Sequence, residues 1–117
     1  MQKKNEKILI KPILIYTTCK DLQEAEKISK HLLNLKLIAC SNVFPINSFY
    51  FWNEKIENSN EYACILKTLK KNYKKIEKEI KKIHSYEMPA IFSINIKNMS
   101  KEYFNWINHN IKKSKKC

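Results

Sequence analysis

Apolar and polar residues near the start of the chain change from a strand-like to a helix-like spacing. Residues 7–18 are rich in Ile and Leu, and Pro12 near their beginning suits the entry to a first strand. Asp21 and Glu24 then stand three positions apart, as in a capping pair, and the apolar residues that follow recur at helical intervals. We therefore predict one strand followed by one helix, with the helix ending near Leu37.

The middle of the chain predicts a long β-hairpin. Residues 38–52 are rich in Val, Phe, Tyr and Ser, and a proline among them excludes a continuing helix and suggests a bulged strand. Asn53 and Glu54 predict the turn, because Asn tolerates a positive φ, and residues 62–68 predict the returning strand. Aromatic residues occupy both alternating faces near the turn, although an isolated hairpin normally exposes one face to water. We expect another chain to cover this tip.

The second half of the chain predicts another helix, another strand and a terminal helix. Asn72 begins a helix with one apolar stripe, residues 90–97 alternate as a fourth strand, and Ser100 caps a last helix with a broad apolar face. The order βαββαβ with a terminal helix predicts an α+β fold, the ferredoxin-like sandwich, in which helices cover one side of a four-stranded antiparallel sheet. We treat the whole chain as a single domain with flexible tails at 1–7 and 112–117.

Charge and composition narrow the possible partners. All 23 basic residues are lysine and the formal net charge is +12, but without arginine the chain lacks the planar fork used for specific base or phosphate contacts. We therefore expect no specific nucleic-acid partner and attribute the charge to solvated faces. No apolar stretch approaches the roughly 18 to 20 residues of a membrane helix, and no secretory signal is evident. The expected location is cytoplasmic, unless an organellar leader has been removed.

The spacing of the cysteines and the absence of glycine limit the metal-binding and catalytic motifs that the chain can contain. Cysteines stand at positions 19, 40, 64 and 117 without any CxxC pair, which supports neither a structural zinc motif nor a disulfide framework. Cys40 and Cys64 lie in apolar segments and are interpreted first as small core residues, with metal binding as the alternative. Glycine is absent, which excludes a glycine-rich phosphate loop, and no nucleophile has a base partner at a recognisable spacing. We expect no enzymatic activity.

Several separated motifs, taken together, resemble one known family. In chain order the motifs are Ile38–Asn42, Tyr50–Ile56, Glu61, Leu66–Thr68, His84–Pro89 and Tyr103–Trp106. Over about residues 13 to 111 the chain is similar to the CutA family, the divalent-cation tolerance proteins. The resemblance implies a ferredoxin-like subunit in a tight homotrimer, whose long hairpin pairs with the neighbouring subunit. It also implies a non-enzymatic role in the response to metal ions or in their binding.

The chain departs from this family at positions discussed for copper binding. In enterobacterial members the proposed copper ligands are a first-strand cysteine and two adjacent histidines. Thr17 stands at the cysteine position here, and Cys19 lies two residues later. Ile83 replaces one of the two histidines, and His84 keeps the other. The family's usual glycine at the hairpin tip is Glu54 in this chain.

His84 is the first candidate for a metal ligand, because a neutral imidazole binds Cu²⁺ or Zn²⁺. Glu87, three residues later, could add oxygen, and Cys40 or the Glu61 of a neighbouring subunit could add a third donor. Two ligands from one loop cannot enclose an ion, so we predict modest affinity for a divalent cation, copper or zinc. The alternative is that His84 is a hydrogen-bonded structural residue of the loop.

Other residues are candidates for contacts between subunits. Glu61 and Lys67 on the returning strand, with Tyr86 in the loop after the second helix, could form a polar pocket between subunits or an interface ion pair. Tyr50 and Trp52 are expected to bury surface at the trimer interface. An alternative function on the same fold is a small-molecule-sensing trimer that resembles PII signalling proteins and binds ligands in clefts between subunits. A trimeric scaffold for another protein is a further alternative.

Overall fold

Four strands and three helices follow the predicted order in the computed structural model, which describes residues 10–112. The tail predicted at 1–7 lies outside the described residues, as does the tail predicted at 112–117 beyond its first residue. The elements are β1 Pro12–Cys19, α1 Leu22–Asn34, β2 Cys40–Trp52, β3 Lys55–Leu69, α2 Tyr73–Ile83, β4 Ile91–Asn95 and α3 Lys101–Lys112, with a 3₁₀ turn at Lys70–Asn72. Compared with the prediction, β1 ends one residue later and β4 is shorter at both ends.

The strands form one antiparallel sheet in the order β2-β3-β1-β4. Side chains alternate along the central strand β1, so that every second residue from Ile13 to Cys19 is buried beneath the helices. α1 and α2 pack on this face of the sheet. Their shared core includes Ile13, Ile15, Ile28, Leu32, Leu66, Ile76 and Ile80. The arrangement is the ferredoxin-like α+β sandwich, as predicted.

The terminal helix packs on the other face of the sheet. Ile107 and Ile111 of α3 form a second buried cluster with Leu69 at the end of β3. The Nζ of Lys67 lies 5.4 Å from the centroid of the Tyr103 ring, a cation–π contact between β3 and α3. Because side chains alternate along a strand, Lys67 and Leu69 point away from the face that α1 and α2 cover. The prediction that helices cover one side therefore holds for α1 and α2 but not for α3.

β2 and β3 form a hairpin that extends beyond the rest of the sheet. Their pairing is continuous from Cys40 opposite Lys67 to Trp52 opposite Lys55, so the predicted bulge is wrong. β3 also begins at Lys55 rather than at 62, because a two-residue turn aligns its polar residues with β2 and pairing outweighs weak strand propensity. β1 pairs with β3 only as far as Tyr62, which leaves the outer half of the hairpin two-stranded.

α1 ends at Asn34 rather than near Leu37. The chain reverses at Lys36, whose φ of 60° is left-handed. The Lys36 N–H donates to the Leu33 carbonyl over 2.9 Å, and the Leu37 N–H donates to the Leu32 carbonyl over 3.1 Å. These two bonds form a Schellman motif, which normally has glycine at the position of Lys36. The sequence prediction ends the helix about three residues too late, because no glycine marks its actual end.

Candidate metal centre

His84 follows the last residue of α2 and directs its side chain into the protein, where it is fully buried. Nε2–H donates to the Thr18 carbonyl over 2.8 Å, and Nδ1 accepts a hydrogen bond from the Tyr86 N–H over 3.0 Å. A carbonyl oxygen can only accept, so these contacts place the proton on Nε2 and the lone pair on Nδ1. The imidazole is therefore held as one neutral tautomer.

Glu24, in the first turn of α1, brings a carboxylate to this histidine. Its Oε1 accepts a hydrogen bond from the Lys20 N–H over 3.0 Å, and its Oε2 accepts one from the Ser85 N–H over 2.6 Å. Oε2 also lies 3.7 Å from Nδ1 of His84. Burial alone would raise the pKa of Glu24, but the hydrogen bonds outweigh it and hold the pKa below its ordinary value of 4.5. Glu24 is therefore ionised at neutral pH.

Cys19, the last residue of β1, supplies a third donor. One ligand atom from each of Cys19, Glu24 and His84 lies within 4.8 Å of the other two. The Cys19 side chain is fully buried. Its interaction with the Cys64 thiol and its burial both raise the pKa of Cys19, so the sulfur is a neutral thiol at neutral pH. A metal ion would have to displace that proton in order to bind.

These three donors fit a borderline ion such as Zn²⁺ or Cu²⁺, which accepts sulfur, nitrogen and carboxylate oxygen. Histidines that bind metals usually donate the other ring N–H to a carbonyl or carboxylate, and the bond from Nε2 to Thr18 has this arrangement. An ion at Nδ1 would displace the Tyr86 N–H, and an ion at Glu24 would compete with the Ser85 N–H. Binding would therefore loosen the loop that follows α2.

The other residues predicted to share a metal with His84 lie elsewhere. Glu87 is exposed and lines a cleft beside the hairpin. Cys40 pairs with Lys67, whereas Cys19 pairs with Tyr62 on the same strand. Five residues along a strand correspond to about 17 Å, too far for a shared ion. The structure brings His84 to Cys19 and Glu24 instead, two residues that the sequence did not assign to the site.

The predicted polar pocket is only partly assembled within one chain. The Tyr86 hydroxyl donates to Oε2 of Glu61. Burial and this carboxylate raise the pKa of Tyr86. Both residues line a cleft of about 860 Å³ together with Tyr50 and Trp52. Lys67 is not part of this cleft, because it lies over the Tyr103 ring on α3.

A ferredoxin-like sandwich with a buried sulfur, nitrogen and oxygen donor set is a candidate metal-handling protein. The family described as CutA1 divalent ion tolerance protein matches residues 13–110, and the chain belongs to this family. It is 44% identical over 97 residues to the divalent-cation tolerance protein CutA of Archaeoglobus fulgidus, covering 83% of this chain and 95% of the relative. The divalent-cation tolerance protein CutA of Thermotoga maritima is 39% identical over 99 residues. The match covers 85% of this chain and 98% of the relative. None of these names indicates a catalytic activity.

Solved structures agree with the fold. The periplasmic divalent cation tolerance protein CutA from Archaeoglobus fulgidus superposes with a TM-score of 0.83 at 43% identity, covering 86% of this chain and 98% of its own. The divalent ion tolerance protein CutA1 from Ehrlichia chaffeensis superposes with a TM-score of 0.85 at 38% identity. The superposition covers 88% of this chain and 97% of the Ehrlichia chain. Both are therefore close in sequence as well as in fold.

The prediction of a cytoplasmic location is wrong by these comparisons. The similar Archaeoglobus protein is called periplasmic. A rice relative, 26% identical over 103 residues and covering 87% of this chain and 58% of its own, is called chloroplastic. Among the described residues, every helix is too short or too polar to cross a lipid bilayer.

Proposed function

We propose that the protein is a non-enzymatic, homotrimeric metal-response factor that binds a divalent cation, Cu²⁺ or Zn²⁺, at Cys19, Glu24 and His84. The observation that carries the proposal is the convergence of these three donors within 4.8 Å of one another in a member of the divalent ion tolerance family. Three donors leave a fourth tetrahedral position for water. His84 was predicted as the anchor, and the geometry favours Glu24 and Cys19 over Glu87 and Cys40 as its partners.

The trimer is supported by apolar surface that one chain leaves uncovered. Phe49, Phe51, Trp52 and Ile56 on the outer half of the hairpin are between 63% and 74% exposed. Phe49, Phe51 and Ile56 share one face of the hairpin, and Trp52 lies on the other. Large exposed apolar side chains on both faces are typical of an interface rather than of a free monomer. A neighbouring chain that pairs with the hairpin would bury them.

Calorimetric titration of the whole protein with Zn²⁺ and Cu²⁺ tests the metal site. His84→Ala should remove most of the binding, because it deletes the only nitrogen donor of the set. His109→Ala is the matched control, since His109 is exposed on α3 and should leave affinity unchanged. Binding should also weaken as the pH falls, because protons compete with metal for the imidazole and the thiol. Equal affinity of a folded His84→Ala variant and the parent would refute the site.

A small-molecule sensor is the second candidate function. The cleft of about 860 Å³ is large enough for a small ligand, and Tyr50, Trp52, Glu61 and Tyr86 line it with both aromatic and polar groups. Because the cleft borders the hairpin, a neighbouring chain could complete it. A nucleotide titration in the same calorimeter discriminates the two functions: nucleotide binding without metal binding would favour the sensor.

A further inference from the structure

A second thiol lies next to the candidate metal centre. β1 and β3 are antiparallel, and Cys64 on β3 pairs with Thr17, two residues before Cys19 on β1. Alternation along the strands places Thr17, Cys19 and Cys64 on the same face of the sheet, and all three are completely buried. Cys19 and Cys64 are diagonal neighbours on these two strands, with Cα atoms about 7 to 8 Å apart. The interaction of their thiols raises the pKa of Cys19 and lowers that of Cys64. Two thiols therefore meet in the core beside Glu24 and His84.

The surroundings of Cys64 are unusually polar for a core. Its Sγ lies 3.9 Å from the Ala25 carbonyl oxygen and 4.0 Å from Oγ of Ser29. Ser29 in turn lies 2.7 Å from Oγ of Ser41. Thr17, directly opposite Cys64, has a buried hydroxyl with no hydrogen-bond partner among the described residues. A buried hydroxyl without a partner is destabilising, so this position favours a bound group that the hydroxyl can contact.

Cys64 belongs to a different donor set from the divalent site. Only Cys19, Glu24 and His84 converge mutually within 4.8 Å among the described residues. An ion held by both sulfurs would therefore be centred away from Glu24 and His84. A pair of thiolates with few other donors selects a soft ion such as Cu⁺, whereas Zn²⁺ requires about four ligands. Both sets use Cys19, so the two ions compete for its sulfur.

We propose that Cys19 and Cys64 form a buried dithiolate site for a soft monovalent ion of the Cu⁺ type. The site rests on the proposed metal-binding function and deepens it by naming a second class of ion. Binding converts two thiols and Cu⁺ into a complex with two Cu–S bonds and one net negative charge, and it releases two protons to solvent. No oxidant or reductant is consumed in this step.

A surface depression lies beside Glu24, a donor close to Cys19 that also borders solvent-accessible space. Its volume is about 520 Å³, and Glu24, Ile83 and Ser85 line it. A carboxylate oxygen of Glu24 lies within 4.8 Å of the Cys19 sulfur. Of the residues that could hold an ion, Glu24 lines the depression, whereas Cys19 and Cys64 are fully buried behind the surface. The shared Cys19 thus connects the two sites.

The test uses the full chain carrying Cys40→Ser and Cys117→Ser, so that Cys19 and Cys64 are the only thiols left. Cu⁺ is titrated without oxygen, in a non-thiol reductant, against a coloured Cu⁺ chelator. We expect one Cu⁺ per chain, and X-ray absorption should report two sulfur neighbours. Adding Cys64→Ser should weaken Cu⁺ binding at least about tenfold, ~1.4 kcal/mol. It should leave Zn²⁺ binding unchanged, because Cys64 is not part of the divalent site.

The outcomes separate this proposal from the proposed function. Unchanged Cu⁺ affinity in the Cys64→Ser variant overturns the dithiolate site, as does a Cu⁺ spectrum with nitrogen or oxygen in place of the second sulfur. The spectrum requires no change at Cys64, so it decides the question even if the variant fails to fold. Zn²⁺ binding that persists in the His84→Ala variant would refute the divalent site alone and would not affect the Cu⁺ result.

Discussion

At the scale of single residues, Glu24 joins two parts of the chain that are far apart in sequence. The Asp21 side chain accepts a hydrogen bond from the Glu24 N–H over 2.8 Å, which is one of the two hydrogen bonds that the predicted capping pair would make. The Glu24 carboxylate does not return to the Asp21 N–H, however, and instead accepts from the N–H groups of Lys20 and Ser85. It thereby fixes the loop after α2 to the start of α1. Losing this carboxylate should weaken both the fold and the divalent site.

Glu24→Gln tests this role through its pH dependence. Hydrogen bonds to an ionised group contribute about 1.5 to 3 kcal/mol, so the variant should be about 2 kcal/mol less stable at pH 7. Because the folded protein holds the pKa of Glu24 below 4.5, its stabilisation is complete above that value and disappears as the pH falls through the lower folded pKa. The difference from the parent should therefore shrink in acid. Urea denaturation at pH 7 and at about pH 3.5 measures it.

Glu26→Gln is the matched control, since Glu26 is exposed on the same helix. A surface carboxylate should change stability by less than about 0.5 kcal/mol. A Glu24→Gln difference that stays constant between the two pH values would contradict the role of the charge.

The sequence led to His84 but not to its partners. His84 stands out within a polar loop motif, whereas Glu24 had a complete explanation as a helix-capping residue. Cys19 stands at the end of a strand, where a small buried residue is ordinary. These residues meet only because α2 returns the chain to the junction between β1 and α1. That contact spans 60 residues between Glu24 and His84, so no local pattern could have indicated it.

At the scale of elements, the absence of glycine places ordinary residues in left-handed conformations. Lys36, Asn53 and Glu54 have φ values of 60°, 52° and 64°. Lys36 closes α1, and the other two form the hairpin turn. For a residue with a Cβ this conformation costs roughly 1 to 2 kcal/mol, and asparagine tolerates it best. The chain therefore carries avoidable strain at Lys36 and Glu54.

Lys36→Gly should relieve this strain. We expect it to raise the free energy of unfolding by about 1 kcal/mol, because glycine adopts the left-handed conformation without a Cβ clash. Lys30→Gly is the matched control, since Lys30 is exposed inside α1, and it should lower the free energy by about 1 kcal/mol. Chemical denaturation followed by circular dichroism measures both. A loss of stability in Lys36→Gly would contradict the assignment of strain.

The same features explain which elements the sequence predicted. The turn at Asn53 was recognisable because asparagine signals a positive φ, and the prediction is confirmed. The start of β3 was not recognisable, since its first seven residues are mostly Asn, Glu and Ser and have weak strand propensity. They become a strand because β2 is already extended beside them. Long-range pairing of this kind is not visible in a local pattern.

At the scale of the whole molecule, charge both opposes and directs the proposed trimer. Three chains of net charge +12 repel one another, although salt screens charges beyond about 8 Å. Residues 40–61, which include the hairpin's outer half, carry Glu54, Glu57 and Glu61 but only Lys55. The hairpin is therefore a negative segment on a positive molecule. Pairing of each hairpin with a neighbouring chain would combine opposite charges and also bury the exposed aromatic rings.

Light scattering on hairpin variants tests this assembly. The parent should have a mass near 42 kDa, about three times the chain mass of 14.0 kDa. Tyr50→Ser with Trp52→Ser should shift the mass toward that of one chain at micromolar concentration. Each buried ring of this kind contributes about 2 kcal/mol or more to an interface, and the loss recurs in every subunit.

Leu22→Ser with Leu33→Ser is the matched control, because these leucines are 42% and 37% exposed and belong to α1 rather than to the hairpin strands. That variant should keep the parent mass. If both double variants dissociate equally, the hairpin has no special part in assembly. A parent protein that stays at the mass of one chain would refute the trimer itself, and the aromatic surface would then need a different partner.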